Sequence, residues 1–148
     1  MNQYRTLDEE SFSGPKYHDP DPANTVIIVG TIGHSEAIDK LIEDGKVDVS
    51  KIKGKWEAFV SQVIEDPVND TARALVVAGS DPRGTIYGIY DISEQIGVSP
   101  WYWWADVPVR RRDSIYALPG PKVQGSPSVK YRGIFLNDEQ PGLSSWVG

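Results

Sequence analysis

The segment Val129-Lys130-Tyr131-Arg132-Gly133-Ile134-Phe135-Leu136-Asn137-Asp138-Glu139 alternates at the two-residue period of a β-strand and then stops on three polar side chains. Tyr131, Gly133 and Phe135 take one face, and Arg132, Ile134 and Leu136 take the other. A strand whose tip carries an amide and two carboxylates fits the way (β/α) barrels present chemistry, because their active sites sit at the C-terminal ends of the strands. A whole barrel needs about 250 residues. This sequence has 148 residues and closes at Gly148, shortly after Glu139. It reads as an α/β front end followed by the first strand of an incomplete (β/α)8 barrel.

Upstream, Pro119 to Pro127 is rich in Pro and Gly and reads as a linker over residues 119–128, placing the barrel start at 129–148. Before it, residues 24–118 carry the pattern of a small α/β domain. Val26 to Val29 is a short apolar run, the mark of a buried strand, and Gly30-Thr31-Ile32-Gly33 turns it into a helix with Ala37, Ile38, Leu41 and Ile42 on one face. Gly45 fits as the stop of that helix. Glu57 to Ile64 alternates as a second strand. The short turn-rich connection after it predicts antiparallel pairing with a third strand at Ala74 to Ala78.

Asp81-Pro82 is an N-cap followed by proline at the first helical position, so a helix is expected from there to about Ile96, with Gly97 as its end. Gly84 and Gly88 lie one turn apart in its interior. Each costs about 1 kcal/mol against alanine, a loss offset if the helix lies close upon the sheet. A further strand is expected around Ile115 to Leu118. The fold class is thus α/β, α+β-like, with a small mixed sheet and two or more helices. Residues 1–23 are polar, with Pro15, Pro20 and Pro22, and read as an irregular lead-in.

Composition narrows the partners. A net charge of −6 and a pI near 4.8 argue against nucleic acid and anionic membrane, which require clustered cations. The short basic run Arg110 to Arg112 reads as a solvated loop or edge guard. The absence of cysteine removes disulfides, thiolate catalysis and Cys-based metal sites. His18 and His34 have no pairing at ligand spacing, so no metal site is expected. Gly30-Thr31-Ile32-Gly33 has neither the glycine spacing nor the lysine of a nucleotide-binding loop, so no bound nucleotide is expected. The first residues contain no apolar secretion signal, and no segment reaches membrane-spanning length.

Three strings carry a resemblance to a known family: Gly79-Ser80-Asp81-Pro82-Arg83-Gly84-Thr85-Ile86-Tyr87-Gly88 and its continuation to Gly97, Pro100-Trp101-Tyr102-Trp103-Trp104-Ala105-Asp106-Val107-Pro108, and Tyr131 to Glu139. Together they closely resemble the glycoside hydrolase family 115 α-glucuronidases, from about Val26 to the last residue. The resemblance implies an N-terminal α/β domain before a (β/α)8 catalytic domain. It implies release of glucuronic acid or its 4-O-methyl ether from glucuronoxylan by inverting hydrolysis without a cofactor. It further implies export and homodimer formation in the full-length protein. Seven of the eight barrel strands lie outside this sequence, so the 148 residues alone are expected to be inactive.

By the same resemblance, Asp138 and Glu139 are the candidate catalytic carboxylates, with Asp138 preferred as the base that activates water, and Asn137 is placed against sugar hydroxyls. Neighbours on a strand end point to opposite sides, so the opposing acid must come from another strand. Trp104 and its neighbours Trp101 to Trp103 offer flat faces suited to sugar stacking. Packing where the small domain meets a barrel is the favoured role, because large aromatics dominate core and interface energetics. The alternative function is a non-catalytic carbohydrate- or protein-binding module that uses this Trp101–Trp104 face.

Overall fold

The computed structural model describes residues 25–67, 73–109, 113–117, 119–135, 142, 143 and 145. The lead-in, the basic run and the acidic tip at 137–139 lie outside them.

Strand β1 (Thr25–Thr31) leads into helix α1 (Glu36–Glu43), and strands β2 (Phe59–Glu65) and β3 (Arg73–Gly79) follow. Helix α2 (Pro82–Gln95), the short helix α3 (Tyr102–Ala105) and strand β4 (Lys122–Gln124) complete the described elements. The sheet order is β1-β3-β2-β4. β3 is central, parallel to β1 with Ile28 opposite Val76, and antiparallel to β2 with Gln62 opposite Val76. The sheet is therefore mixed, and the pairing of β2 with β3 is the one expected from their short connection.

Strand periodicity sorts the core onto two faces. Val60 and Ile64 of β2, with Ala74, Val76 and Ala78 of β3, face one side and are buried with Ile38 and Leu41 of α1. Val47, Val49 and Ile52 from the α1–β2 connection close the same cluster. Val77 and Phe59 point to the other side, beneath α2. The closeness of α2 to the sheet is what its glycines permit. A Cβ at Gly84 would stand 2.2 Å from the carbonyl oxygen of Ala58, and one at Gly88 would stand 2.4 Å from Cγ1 of Val77. Both helices leave through the expected glycines, Gly45 at φ +70° and Gly97 at φ +97°.

Several expectations are corrected. Val26 to Val29 forms a strand, but an edge strand and not a buried one: among the described residues β1 has a single neighbour, and Val26, Ile27 and Val29 are exposed. Residues 113–117 form no strand, and Ile115 and Tyr116 are exposed. The fourth strand is instead β4, inside the Pro/Gly-rich stretch read as a linker, where Phe59 to Ser61 pairs with Lys122 to Gln124. An apolar run becomes a strand only when a sheet edge receives its N–H and C=O groups, and β2 offers that edge to 122–124. Lys122 adds an ion pair to Asp91 of α2, with both side chains 15% exposed. Residues 129–135 likewise form no strand ladder, and Tyr131, Ile134 and Phe135 stand in solvent. Their alternation is that of a strand, but the described residues pair none with them.

Candidate functional site

The parallel strands β1 and β3 both end beside the N-terminus of α2, and the antiparallel β2 begins there. The side chains gathered at this edge are held by a chain of hydrogen bonds. The Asp81 carboxylate does two things. Oδ1 accepts from the Gly84 N–H at 2.7 Å, capping α2, and Oδ2 accepts from the Glu57 N–H at 2.8 Å. Ser80 closes a second link, its Oγ accepting from Ala58 N at 3.0 Å while its own N–H donates to Ala58 O at 2.9 Å. Thr85 Oγ1 meets Thr31 Oγ1 at 2.7 Å, so the turn after β1 is stitched to α2.

Fixed in this way, Glu57 adopts φ +52°, a left-handed conformation uncommon for a residue with a Cβ. Its side chain is 6% exposed and takes two cations. Arg83 of α2 approaches Oε1 at 3.1 Å, and Arg132 Nη2 donates to Oε2. Tyr87, one turn along α2 from Arg83, accepts through its hydroxyl from Arg83 at 3.1 Å and from Arg132 at 3.0 Å. The Arg132 guanidinium lies 5.9 Å from the ring centroids of both Trp56 and Tyr87, within cation–π range. Its Nη1 donates to the Val129 carbonyl. The hydrogen bond to Glu57 holds Arg132 above the ordinary guanidinium range, and the bond to Tyr87, followed by the charge of Glu57, does the same for Arg83.

This cluster was not among the residues singled out from sequence. Of those that were, Asn137, Asp138 and Glu139 lie outside the described residues, as does the Trp104 side chain. Trp101 and Tyr102 are 61% and 46% exposed at the start of α3. His34 is exposed in the turn after β1, its N–H donating to Thr31 O at 3.1 Å. Among the described residues, no group of three or more His, Asp or Glu could hold a metal ion, and no helix is long and apolar enough to cross a membrane. What the structure does join is Arg132, within the segment that runs to the acidic tip, to the α/β domain.

The model of glycosyl hydrolase family 115 matches residues 124–148, which include Arg132 and the acidic tip. A solved structure, described as a novel family GH115 4-O-methyl-α-glucuronidase, BtGH115A, with specificity for decorated arabinogalactans, is 49% identical over 81% of this chain with a TM-score of 0.66. Both likenesses point to glycoside hydrolase family 115. An alignment over 81% of the chain extends well beyond residues 124–148 and so takes in most of the α/β domain. The chain spans 14% of the length of that structure. The search of curated proteins found no match.

Proposed function

We propose that this chain is the N-terminal part of a family 115 α-glucuronidase, consisting of the α/β domain and the approach to its catalytic barrel. The observation that carries the reading is 49% identity over 81% of the chain to a 4-O-methyl-α-glucuronidase of that family. The proposed reaction is inverting release of glucuronic acid or its 4-O-methyl ether. It needs a carboxylic acid to protonate the leaving oxygen and a carboxylate to activate water on the opposite face, about 6.5–9.5 Å apart. Asp138 takes the second role, Asn137 hydrogen-bonds sugar hydroxyls, and Glu139 is the alternative carboxylate. The acid is supplied by another strand of the (β/α)8 barrel. The enzyme is exported, needs no cofactor and forms a homodimer in its full length.

The family resemblance favours glucuronoxylan as substrate. The specificity of BtGH115A for decorated arabinogalactans supports a second substrate reading with the same released sugar. The test is to incubate the complete protein with each polysaccharide and measure both free glucuronic acid and its 4-O-methyl ether. Release from one identifies the substrate class, and release from neither overturns the reading. Exposure of Trp101 and Tyr102 supports the separate reading of a sugar-binding aromatic face. Titrating the 148-residue chain with uronic oligosaccharides while following tryptophan fluorescence tests it, and an unchanged spectrum rejects it.

A further inference from the structure

We infer that Glu57 and Arg132 form a clamp that fixes where the segment leading to Asp138 leaves the α/β domain, and that both are positioning residues for the carboxylates beyond it. The catalytic consequence rests on the α-glucuronidase reading, whereas the clamp itself does not.

Four observations carry the inference. Glu57 is 5% exposed, so its charge is held among partners rather than in water, and it is aimed by the Asp81 bond at a strained φ of +52°. Arg132 is the partner from a segment that forms no strand ladder among the described residues. Its guanidinium donates to Glu57, Tyr87 and the Val129 carbonyl, and Trp56 lies against it. A guanidinium engaged in this way is suited to holding the chain rather than taking a ligand. On either side of it, Tyr131, Ile134 and Phe135 are 86%, 84% and 91% exposed, so among these neighbours the side chain that ties the segment down is Arg132.

Chain geometry gives the clamp its reach. Asp138 is six residues beyond Arg132. At roughly 3.3–3.6 Å per residue, six residues of chain span at most about 22 Å. Fixing Arg132 limits the volume open to the candidate base before any barrel contact forms. Catalytic carboxylates work only within narrow tolerances, so a loosened approach is felt in turnover. The planar fork and ring contacts also specify arginine, and lysine is not a substitute.

The cysteine-free sequence allows clean site labelling. Nitroxides at Glu43→Cys on α1 and Ile134→Cys, both exposed positions, read the distance from the domain to the segment by pulsed electron resonance. A control pair at Glu43→Cys and Glu94→Cys reads the domain alone. A narrow segment distribution is expected in the otherwise native chain. Arg132→Ala and Glu57→Gln should broaden it about twofold, as a tethered segment becomes a mobile one, with the control pair unchanged. Arg132→Lys should restore it only in part. Equal widths in native and variant chains overturn the clamp. If Glu57→Gln disturbs the control pair, Arg132→Ala, at a side chain 34% exposed, decides alone.

In the complete protein, Arg132→Ala should lower kcat on the order of tenfold or more and change KM less. A broadened segment with unchanged kcat overturns the positioning role. A complete native protein without glucuronidase activity instead removes the proposed function, while the clamp still stands or falls on the label widths.

Discussion

Asp81 shows how much one side chain can hold in this domain. One carboxylate oxygen caps α2 and the other receives the Glu57 N–H, so removing it affects a helix start and a strained residue together. Asp81→Ala should lower unfolding stability by about 2–4 kcal/mol, combining a lost cap with an N–H left without its acceptor. Ser35→Ala, at the α1 cap where the bond is 3.5 Å, should cost less, about 0.5–1 kcal/mol. Urea melts of the two variants check the order, and equal losses would mean the Glu57 link contributes nothing. Asp48 gives a pH signature. The Ser50 N–H, at 2.8 Å, holds its carboxyl below the usual range, with further help from the Ser50 side chain. A depressed folded value stabilises above the unfolded pKa and is lost as pH falls through the folded one, so Asp48→Asn should flatten the acid limb of a stability–pH curve. Asp81 was legible from its Asp-Pro pair, because capping is local chemistry. Glu57 was not. It lies 75 residues from Arg132 and 24 from Asp81, and nothing in Lys55-Trp56-Glu57 announces a left-handed carboxylate.

At the level of elements, α2 is decided by contact rather than by helix propensity. Alanine at Gly84 would gain about 1 kcal/mol of helix preference. Its Cβ would meet the backbone carbonyl of Ala58 at 2.2 Å, and a paired backbone has little room to yield. Overpacking typically costs 1–3 kcal/mol. Gly84→Ala should therefore destabilise by up to about 2 kcal/mol in a thermal melt, and a stabilised variant would show that α2 can lift from the sheet. Lys122→Ala should be worse than loss of a surface pair, because it leaves Asp91 partly buried without that cation, and should release β4 from β2. Amide exchange at 122–124 reads that release. Elements whose signals are local were legible: β1 by its apolar run, though not its exposure at the sheet edge, α1 by period, α2 by cap and close glycines, β2 and β3 by their short connection. Strands whose existence depends on a distant edge were not. Ile115 to Leu118 had the composition of a strand and no pairing over its described residues. Lys122 to Gln124 lacked that composition but had β2 beside it and Asp91 to hold its lysine.

For the molecule as a whole, the uncovered apolar surface is the feature that sets its behaviour in solution. Ile86, Ile89 and Tyr90 of α2 are exposed, as are Ile27 of β1, Trp101, Tyr131, Ile134 and Phe135. Scattered exposed apolar residues are ordinary, but large aromatic and branched side chains grouped along α2 and along one approach segment resemble surfaces that pack against something. Under the α-glucuronidase reading that something is the barrel. The 148-residue chain should therefore bind a hydrophobic dye and scatter more light as its concentration rises. It should also release no glucuronic acid from either polysaccharide, because a pocket formed from one strand tip cannot hold two opposed carboxylates in register. The complete protein should lose the dye signal and gain the activity. The two readouts separate two ideas. A dye-silent, monodisperse chain would show that the apolar groups are satisfied without a barrel, whereas turnover by the chain alone would show that 148 residues contain both carboxylates. If the dye binds and the chain is inert, Asp138→Ala in the complete protein becomes the deciding variant. A fall in kcat of several orders of magnitude fits the water-activating base, and near-native turnover shifts that role to another carboxylate.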